Sequence, residues 1–262
     1  MKIRLDIYMV ENGITSSRER AKELISKGGV SVNGVPAKKA GQAVSETDTI
    51  TLSIEEIPYV SRGGLKLEKA ISEFSLELTN KTAMDIGAST GGFTDCMLKC
   101  GAVKVYAVDV GTDQLHESLK TDSRVINLEK TNIRTLPESK AECVDFISID
   151  VSFISLSLVL PHALRFLKEN GQIVALIKPQ FEAGKAALNK KGVVKDEKIH
   201  LSVIKSVIEF AENIGLFVSG LTYSPVRGPE GNIEYLVFLT KKASDNEYIS
   251  PEQIVKESHQ TL

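Results

Sequence analysis

Four charged residues stand where the chain leaves or enters a regular element: Lys66, Asp150, Lys178 and Glu234. Lys66 falls in the first helix after a glycine-bearing stretch, and Asp150 follows the apolar run Asp145 to Ile149. Lys178 follows Ile173 to Ile177, and Glu234 begins the last strand-like run. The carboxyl ends of strands in an open parallel sheet line the ligand crevice, so Asp150 and Lys178 are predicted to lie in it. Two lysines and two carboxylates suit transfer of a group to a hydroxyl, where an acceptor must be aligned and one proton handled. A lysine acts as a base when a second cation or burial loosens its proton, whereas carboxylates hold it charged. The alternative is a charged Lys178 that stabilises a developing alkoxide. Both roles stay open at this level. Each residue alone reads as half of a surface ion pair. The four together, flanked by Ser61-Arg-Gly-Gly-Leu-Lys66 and Lys178-Pro-Gln-Phe-Glu182, read as a site.

A glycine-rich loop supplies the second constellation. Asp85, Gly87, Ala88, Ser89, Thr90, Gly91, Gly92 and Phe93 follow a strand and open a helix, where glycines let a ligand approach the backbone and the helix start offers free N–H groups. Asp109 ends the next strand, 22 residues after Gly87, the place of an acid that accepts from ribose hydroxyls. A nicotinamide dinucleotide fits these two features as well. Against it, Asp85 would repel a pyrophosphate but suit a cationic ligand, and Gly87-x-x-x-Gly91-Gly92 departs from G-x-G-x-x-G. S-adenosylmethionine is the better candidate cofactor, which makes methyl transfer to a hydroxyl such as a ribose 2′-OH the chemistry to expect.

These residues need a framework. From Lys81 onward, strands are predicted at Ala83 to Ile86, Lys104 to Val108, Val125 to Leu128, Val144 to Ile149 and Gln172 to Ile177. Helices are predicted near Gly92 to Lys99, Gln114 to Leu119, Ser155 to Leu167 and Glu197 to Glu212. That alternation is the pattern of an α/β, doubly wound, Rossmann-like sheet. Leu216 to Tyr223 and Ile233 to Leu239, joined by a turn-rich segment, favour antiparallel pairing at the sheet edge, as class I methyltransferase sheets end. The polar tail beyond Lys242 is assigned no role.

Residues 1–58 read as a smaller α+β unit. Leu5, Tyr8 and Met9 form one helical face closed by Asn12-Gly13, and Ser16 with Glu19 is a capping-box signature for a second helix. Val30 to Val35 around Asn33-Gly34 reads as a hairpin, and Thr49 to Ile54 as a further strand. Residues 59–64 form a linker, and the large domain spans 65–262, with its first helix starting near Leu65.

Of 262 residues, 42% are hydrophobic and 25% charged, which excludes a disordered or collagen-like chain. The 32 Lys+Arg nearly balance 34 Asp+Glu, giving a net charge of -2, so the whole surface is no indiscriminate nucleic-acid binder. Locally the balance differs. Between residues 17 and 41, Arg18, Arg20, Lys22, Lys27, Lys38 and Lys39 face only Glu19 and Glu23, a candidate phosphate-binding patch. Six lysines between 178 and 198 face three acids in a stretch that reads as a mobile loop near the crevice. Cys96, Cys100 and Cys143 make no disulfide framework, and with the four histidines they show no metal-ligand spacing. No metal is expected. The N-terminus carries charges inside its apolar stretch, unlike a signal peptide, and no apolar run is long enough to span a bilayer, so the expected location is the cytoplasm.

Residues 4–54 resemble the S4 RNA-binding domain through Arg4-Leu-Asp-Ile-Tyr, Ser17-Arg-Glu-Arg-Ala-Lys-Glu-Leu-Ile25 and Gly29-Val-Ser-Val-Asn-Gly34. Residues 59–240 resemble an FtsJ-like ribose methyltransferase. In this order, joined by Val60-Ser-Arg-Gly-Gly-Leu-Lys66, they are similar to the TlyA (haemolysin A) family of rRNA 2′-O-methyltransferases. The resemblance implies a catalytic Lys-Asp-Lys-Glu tetrad at Lys66, Asp150, Lys178 and Glu234. It implies an S-adenosylmethionine site at the loop Asp85 to Phe93 and Asp109, with Thr131-Asn132 bordering the adenine. It adds Arg4 and Arg62 to the RNA-binding candidates. The implied substrates are cytidines of 16S rRNA, 23S rRNA or both, within ribosomal subunits. Three rivals stand beside it: a pore-forming cytolysin, as the family's older name suggests, an NAD-dependent enzyme with an RNA-binding appendage, and a non-catalytic RNA-binding module.

Overall fold

Asn33 and Gly34 hold φ values of 52° and 78°, which a two-residue hairpin turn requires at both central positions. They join β2 (Val30–Val32) to β3 (Val35–Pro36), and β2 pairs on its other side with β5 (Ile50–Leu52), all antiparallel. The computed structural model describes residues 2–15, 17–26, 28–52, 57–243 and 250–262. Ser16, Lys27 and the Ile54 end of the expected strand lie outside the described residues.

The chain divides into two units, Met1–Pro58 and Tyr59–Leu262. In the first, β1 (Ile3–Arg4) pairs with β4 (Ala43–Val44), and the helices α1 (Leu5–Glu11) and α2 (Arg18–Ser26) pack on each other. Leu5, Met9, Ala21, Leu24, Ile25, Val30 and Val44 form its core, the apolar faces that the helical spacing requires. Ser17 Oγ accepts from the Arg20 N–H at 3.2 Å, so a capping serine sits at Ser17.

The second unit opens with α3 (Gly63–Glu73), two residues ahead of the expected start. Then follow β6 (Thr82–Ile86), α4 (Gly92–Lys99), β7 (Lys104–Val108), α5 (Glu117–Lys120), β8 (Val125–Leu128) and β9 (Val144–Ile149). The chain continues through α6 (Leu160–Ala163), β10 (Leu167–Ile177), α7 (Pro179–Glu182), α8 (Glu197–Asn213), β11 (Phe217–Tyr223), β12 (Tyr235–Thr240) and α9 (Pro251–Thr261). Seven strands form one sheet in the order β11-β12-β10-β9-β6-β7-β8. β8, β7, β6, β9 and β10 run parallel, and β12 is antiparallel to both neighbours. Leu67, Ala70, Phe93, Cys96 and Met97 cover one face, and Leu160, Ala163, Val203, Ile204, Val207 and Ile254 belong to the core on the other. The fold is therefore the doubly wound α/β sheet with an antiparallel C-terminal pair.

Three segments differ from expectation. The helix expected over Gln114 to Leu119 shrinks to the four residues of α5, Glu117–Lys120, which start after His116. The helix expected over Ser155 to Leu167 breaks into a 3-10 turn (Leu156–Leu158), α6 and a second 3-10 turn (Leu164–Phe166), and Leu167 already belongs to β10. Pro161 lacks the N–H that a continuous helix needs and fits only the first turn of α6. The polar tail carries α9, started by Ser250 Oγ accepting from the Gln253 N–H, with Ile254, Val255 and Ser258 buried.

The strand order reverses between β6 and β9, which opens a crevice beyond their carboxyl ends. Gly87 leaves β6 at φ 89°, and a Cβ there would stand 2.4 Å from the Asp150 carbonyl oxygen after β9. Only glycine permits that approach, so the two loops meet at the switch point.

Candidate active site

The four tetrad residues meet in one network. Lys66 Nζ, from α3, donates to Glu234 Oε2 at 2.6 Å and stands 3.7 Å from Asp150 Oδ2. Lys178 Nζ lies 2.5 Å from Asp150 Oδ1. That close contact is not aligned as a hydrogen bond, and the ammonium's directed bond runs to Ser152 Oγ at 3.1 Å. The order Lys178, Asp150, Lys66, Glu234 thus alternates in charge and closes at zero. Lys66 and Lys178 are over nine-tenths buried, and Glu234 is 0% exposed. Burial alone would strip these charges, so their mutual pairing is what keeps them. For Lys66, burial is the largest single influence and lowers its pKa, but Asp150 and Glu234 together outweigh it and raise the value.

The network floors one end of a cleft of about 380 Å³ lined by Lys66, Asp150, Ser152 and Lys178 together with Arg62, Arg227 and the glycine-rich loop. Gly87, Ala88, Ser89, Thr90, Gly92 and Phe93 all reach this cleft. Gly91 lies behind it, at φ 95°, against Leu115 and Leu119. A Cβ at Gly92 would come within 2.3 Å of Ser61 Oγ and 2.9 Å of the Gly64 nitrogen, so the start of α4 and the start of α3 share backbone contact. Such a cradle of bare backbone at a helix start fits an adenosine-bearing cofactor. Asp109 Oδ2 accepts from the Ser89 N–H and Oδ1 from the Gly111 N–H, both at 2.7 Å. Each oxygen keeps a lone pair for a ribose hydroxyl. Asn132 is exposed beyond β8, next to Thr131, whose N–H donates to the Asp109 carbonyl at 2.8 Å.

Asp85 does not line the cleft. It is 0% exposed, and it accepts from Thr94 Oγ1 at 2.7 Å and Ser148 Oγ at 3.1 Å. β6 is a central strand covered on both faces, so its penultimate side chain enters the core and not the crevice. Burial pushes the Asp85 carboxyl up to about 7 against the opposing pull of those two hydroxyls. It clamps α4 to β9 beneath the loop.

The basic candidates of the first unit fall into two groups. Arg4 donates to both oxygens of Asp6, and Arg18 Nη2 reaches Asp6 Oδ2 at 3.1 Å. Asp6 is fully buried, and the Arg4 hydrogen bonds, then Arg18, hold its carboxyl down to about 2. Arg4 and Arg18 are therefore structural partners with half-exposed guanidinium groups. Arg20 pairs with Glu23 at 2.7 Å. Lys22, Lys38 and Lys39 are exposed. Lys27 lies outside the described residues. Arg62 belongs to the second unit, where it is exposed on the cleft lined by Lys66, Asp150 and Lys178.

Two side chains of interest carried no assignment from the sequence. Phe153 is 90% exposed, sits at φ 64° three residues past Asp150, and packs at 4.9 Å on Phe181, whose ring lies 5.8 Å from Lys178 Nζ. A bulky residue held in the left-handed region with its ring in solvent is a signal of use. The readable hint was an aromatic directly after Asp150-Val-Ser152. Gln180, inside the Lys178 to Glu182 motif, is buried and donates to Glu234 Oε1 at 3.4 Å, while its own Oε1 has no partner.

Comparison with known proteins places this geometry. The FtsJ-like methyltransferase family matches residues 59–241, and the S4 domain family matches residues 3–50. The chain is 43% identical over 268 residues to YqxC, a candidate rRNA methyltransferase of Bacillus subtilis, covering 100% of this chain and 95% of that one. It is 42% identical over 240 residues to the 16S/23S rRNA (cytidine-2'-O)-methyltransferase TlyA of Mycobacterium tuberculosis, covering 91% and 90% respectively. A solved structure from Streptococcus thermophilus, carrying a provisional hemolysin label, superposes with a TM-score of 0.77 at 42% identity, covering 99% of this chain and 96% of that one. The chain belongs to the FtsJ-like methyltransferases, in the TlyA family that carries an S4 domain ahead of the methyltransferase domain.

Proposed function

We propose that the protein transfers a methyl group from S-adenosylmethionine to the ribose 2′-hydroxyl of a cytidine in 16S rRNA, 23S rRNA or both, within ribosomal subunits of the cytoplasm. The observation that carries this reading is the closed Lys178–Asp150–Lys66–Glu234 network beside the glycine cradle. The family and the substrate named for the Mycobacterium tuberculosis relative support it. Lysine and carboxylate pairs in a pore-forming role would need no such cradle, and no helix among the described residues is long and apolar enough to cross a membrane.

The cofactor supplies a methyl group already activated on a sulfonium. The loop Gly87 to Phe93 would hold its amino-acid and ribose portions, with Asp109 on the ribose and Asn132 at the adenine edge. What remains for the chain is to align an acceptor oxygen and manage its proton. Lys178 meets the acceptor as an ion-paired ammonium, fixed by Asp150 and Ser152. It stabilises the charge that grows on the 2′ oxygen as the proton leaves to solvent, the role of a preorganised cation. Lys66 and Glu234 act one step back: they hold Asp150, and through it Lys178. Phe153 offers its exposed ring to a base of the RNA, which fits a strand whose bases are unstacked for ribose access. The S4 unit supplies further grip through Lys22, Lys38 and Lys39.

The reading is tested by mapping ribose methylation on rRNA from cells with and without the protein. A cytidine 2′-O-methyl mark that disappears with the protein supports it; two identical maps refute it.

A further inference from the structure

The lysine-rich stretch after Lys178 is pinned, contrary to the expected mobile loop. Asn189 Oδ1 accepts from the Lys191 and Val193 N–H groups at 2.8 and 3.0 Å, and Val193 and Val194 are buried. Asn232 holds this turn from the opposite loop: its Oδ1 accepts from the Val194 N–H at 3.3 Å and its Nδ2 donates to the Gly192 carbonyl at 3.2 Å. His200 Nε2 closes the anchor on the Val194 carbonyl at 3.0 Å.

The anchored turn walls a second cavity of about 660 Å³, into which Lys190, Lys191, Lys195 and Arg227 project, with Glu230 the one carboxylate on its lining. The three lysines are exposed and make no ion pair among the described residues, and what sets them apart is that they gather with Arg227 on one cavity whose lining holds a single carboxylate. Arg227 is braced by the Gly231 carbonyl at 3.2 Å, donates through Nη2 to the Leu262 carbonyl, and lines both this cavity and the catalytic cleft. The next residue, Gly228, covers Glu234: a Cβ there would stand 2.2 Å from Glu234 Oε1. One short loop therefore touches the tetrad, the cleft and the basic cavity.

We propose that this cavity is a phosphate-binding groove for the RNA strand that enters the cleft, with Lys190, Lys191, Lys195 and Arg227 as its cations. The proposal rests on the reading of the chain as an RNA ribose methyltransferase. A strand that places one ribose at Lys178 must lay its neighbouring phosphates along the cleft walls, and Arg227 marks the side where unpaired cations continue. Lysines carried on a fixed turn present their ammonium groups to phosphates without ordering the backbone, and they release counterions when they bind.

The test compares the full chain with Lys190→Ala/Lys191→Ala/Lys195→Ala and with a control, Lys81→Ala/Lys140→Ala/Lys256→Ala, for binding to ribosomal RNA over a salt series. Each lost phosphate contact removes about 0.7–0.9 from the slope of log K against log salt, so the groove variant should lose about 2 from that slope. Its Kd at physiological salt should rise about tenfold or more, with melting temperature and S-adenosylmethionine binding unchanged. The control should keep the wild-type slope. Equal slopes in the two variants would overturn the groove. Methyl transfer is read in parallel: intact transfer with equal slopes removes the groove alone, whereas a slope loss in the groove variant beside a wild type that methylates no RNA removes the methyltransferase reading and leaves the groove standing.

Discussion

Lys66 and Glu234 are 168 positions apart in the chain, and their Nζ and Oε2 atoms meet at 2.6 Å in a site where Glu234 is 0% exposed. The pair joins the first helix of the large unit to the approach of its last paired strand, so it both closes the fold and ends the tetrad.

Removing one partner of such a pair leaves a buried charge alone, a loss of about 3–5 kcal/mol. Glu234→Ala should therefore lower stability in urea by that order and abolish methyl transfer, with Glu234→Gln milder in stability. Replacing both by apolar residues, Lys66→Met/Glu234→Leu, should recover most of the stability and none of the activity. Recovery of activity in the double variant would remove the tetrad from the mechanism.

Phe153 is 90% exposed and its ring contact is the one with Phe181, so Phe153→Ala should change the melting temperature little. A base–aromatic stack contributes about 1–3 kcal/mol, so its loss should weaken productive RNA engagement about tenfold. Phe153→Tyr should retain most of the function. Undiminished kcat/KM for rRNA in Phe153→Ala would contradict the stacking role.

Asp85 makes stability depend on pH in a defined direction. In the unfolded chain its carboxyl titrates near its ordinary 3.8, whereas in the folded protein burial raises this to about 7. Between those values the folded state binds the extra proton, so stability falls as pH rises through the window and levels off above it. Asp85→Asn removes the effect. The stability of Asp85→Asn relative to wild type should therefore grow between pH 5 and pH 8 in thermal melts, and a difference independent of pH would show that the carboxyl does not titrate there.

In the S4 unit the basic residues should separate by role. Lys22→Ala/Lys38→Ala/Lys39→Ala should weaken rRNA binding with the fold intact, because all three are exposed. Arg18→Ala should instead destabilise the unit, because buried Asp6 loses one of its two cationic partners. Equal unfolding midpoints for these two variants would contradict that division.

Much of this was legible from residue order because the strands are short runs rich in β-branched and apolar residues bounded by polar ones, continuous where a central strand is buried on both faces. Lys104 to Val108, Val125 to Leu128 and Val144 to Ile149 form strands with the bounds their composition suggests. The residues at their ends, Asp109 and Asp150, took their places from topology alone. What composition concealed was direction and partnership. Asp85 looked like a ligand-facing acid because spacing does not say which way a central strand turns a side chain. Arg4 and Arg18 looked free because Asp6, their partner, lies inside an apolar helical face. The tail helix was hidden by its polar residues, although Ser250 before Pro251 marks a helix start. Phe153 and Gln180 gain meaning only from neighbours distant in the chain. The net charge of -2 likewise concealed separate basic surfaces.

The central claim is that Lys178 serves methyl transfer to a ribose 2′ oxygen. The direct measurement incubates purified ribosomal subunits lacking the mark with S-adenosylmethionine and either wild-type protein or Lys178→Ala, and reads 2′-O-methyl cytidine in the rRNA. The account predicts the mark with wild type, none with Lys178→Ala, and equal S-adenosylmethionine binding by the two proteins. Wild-type levels of methylation by Lys178→Ala would contradict it.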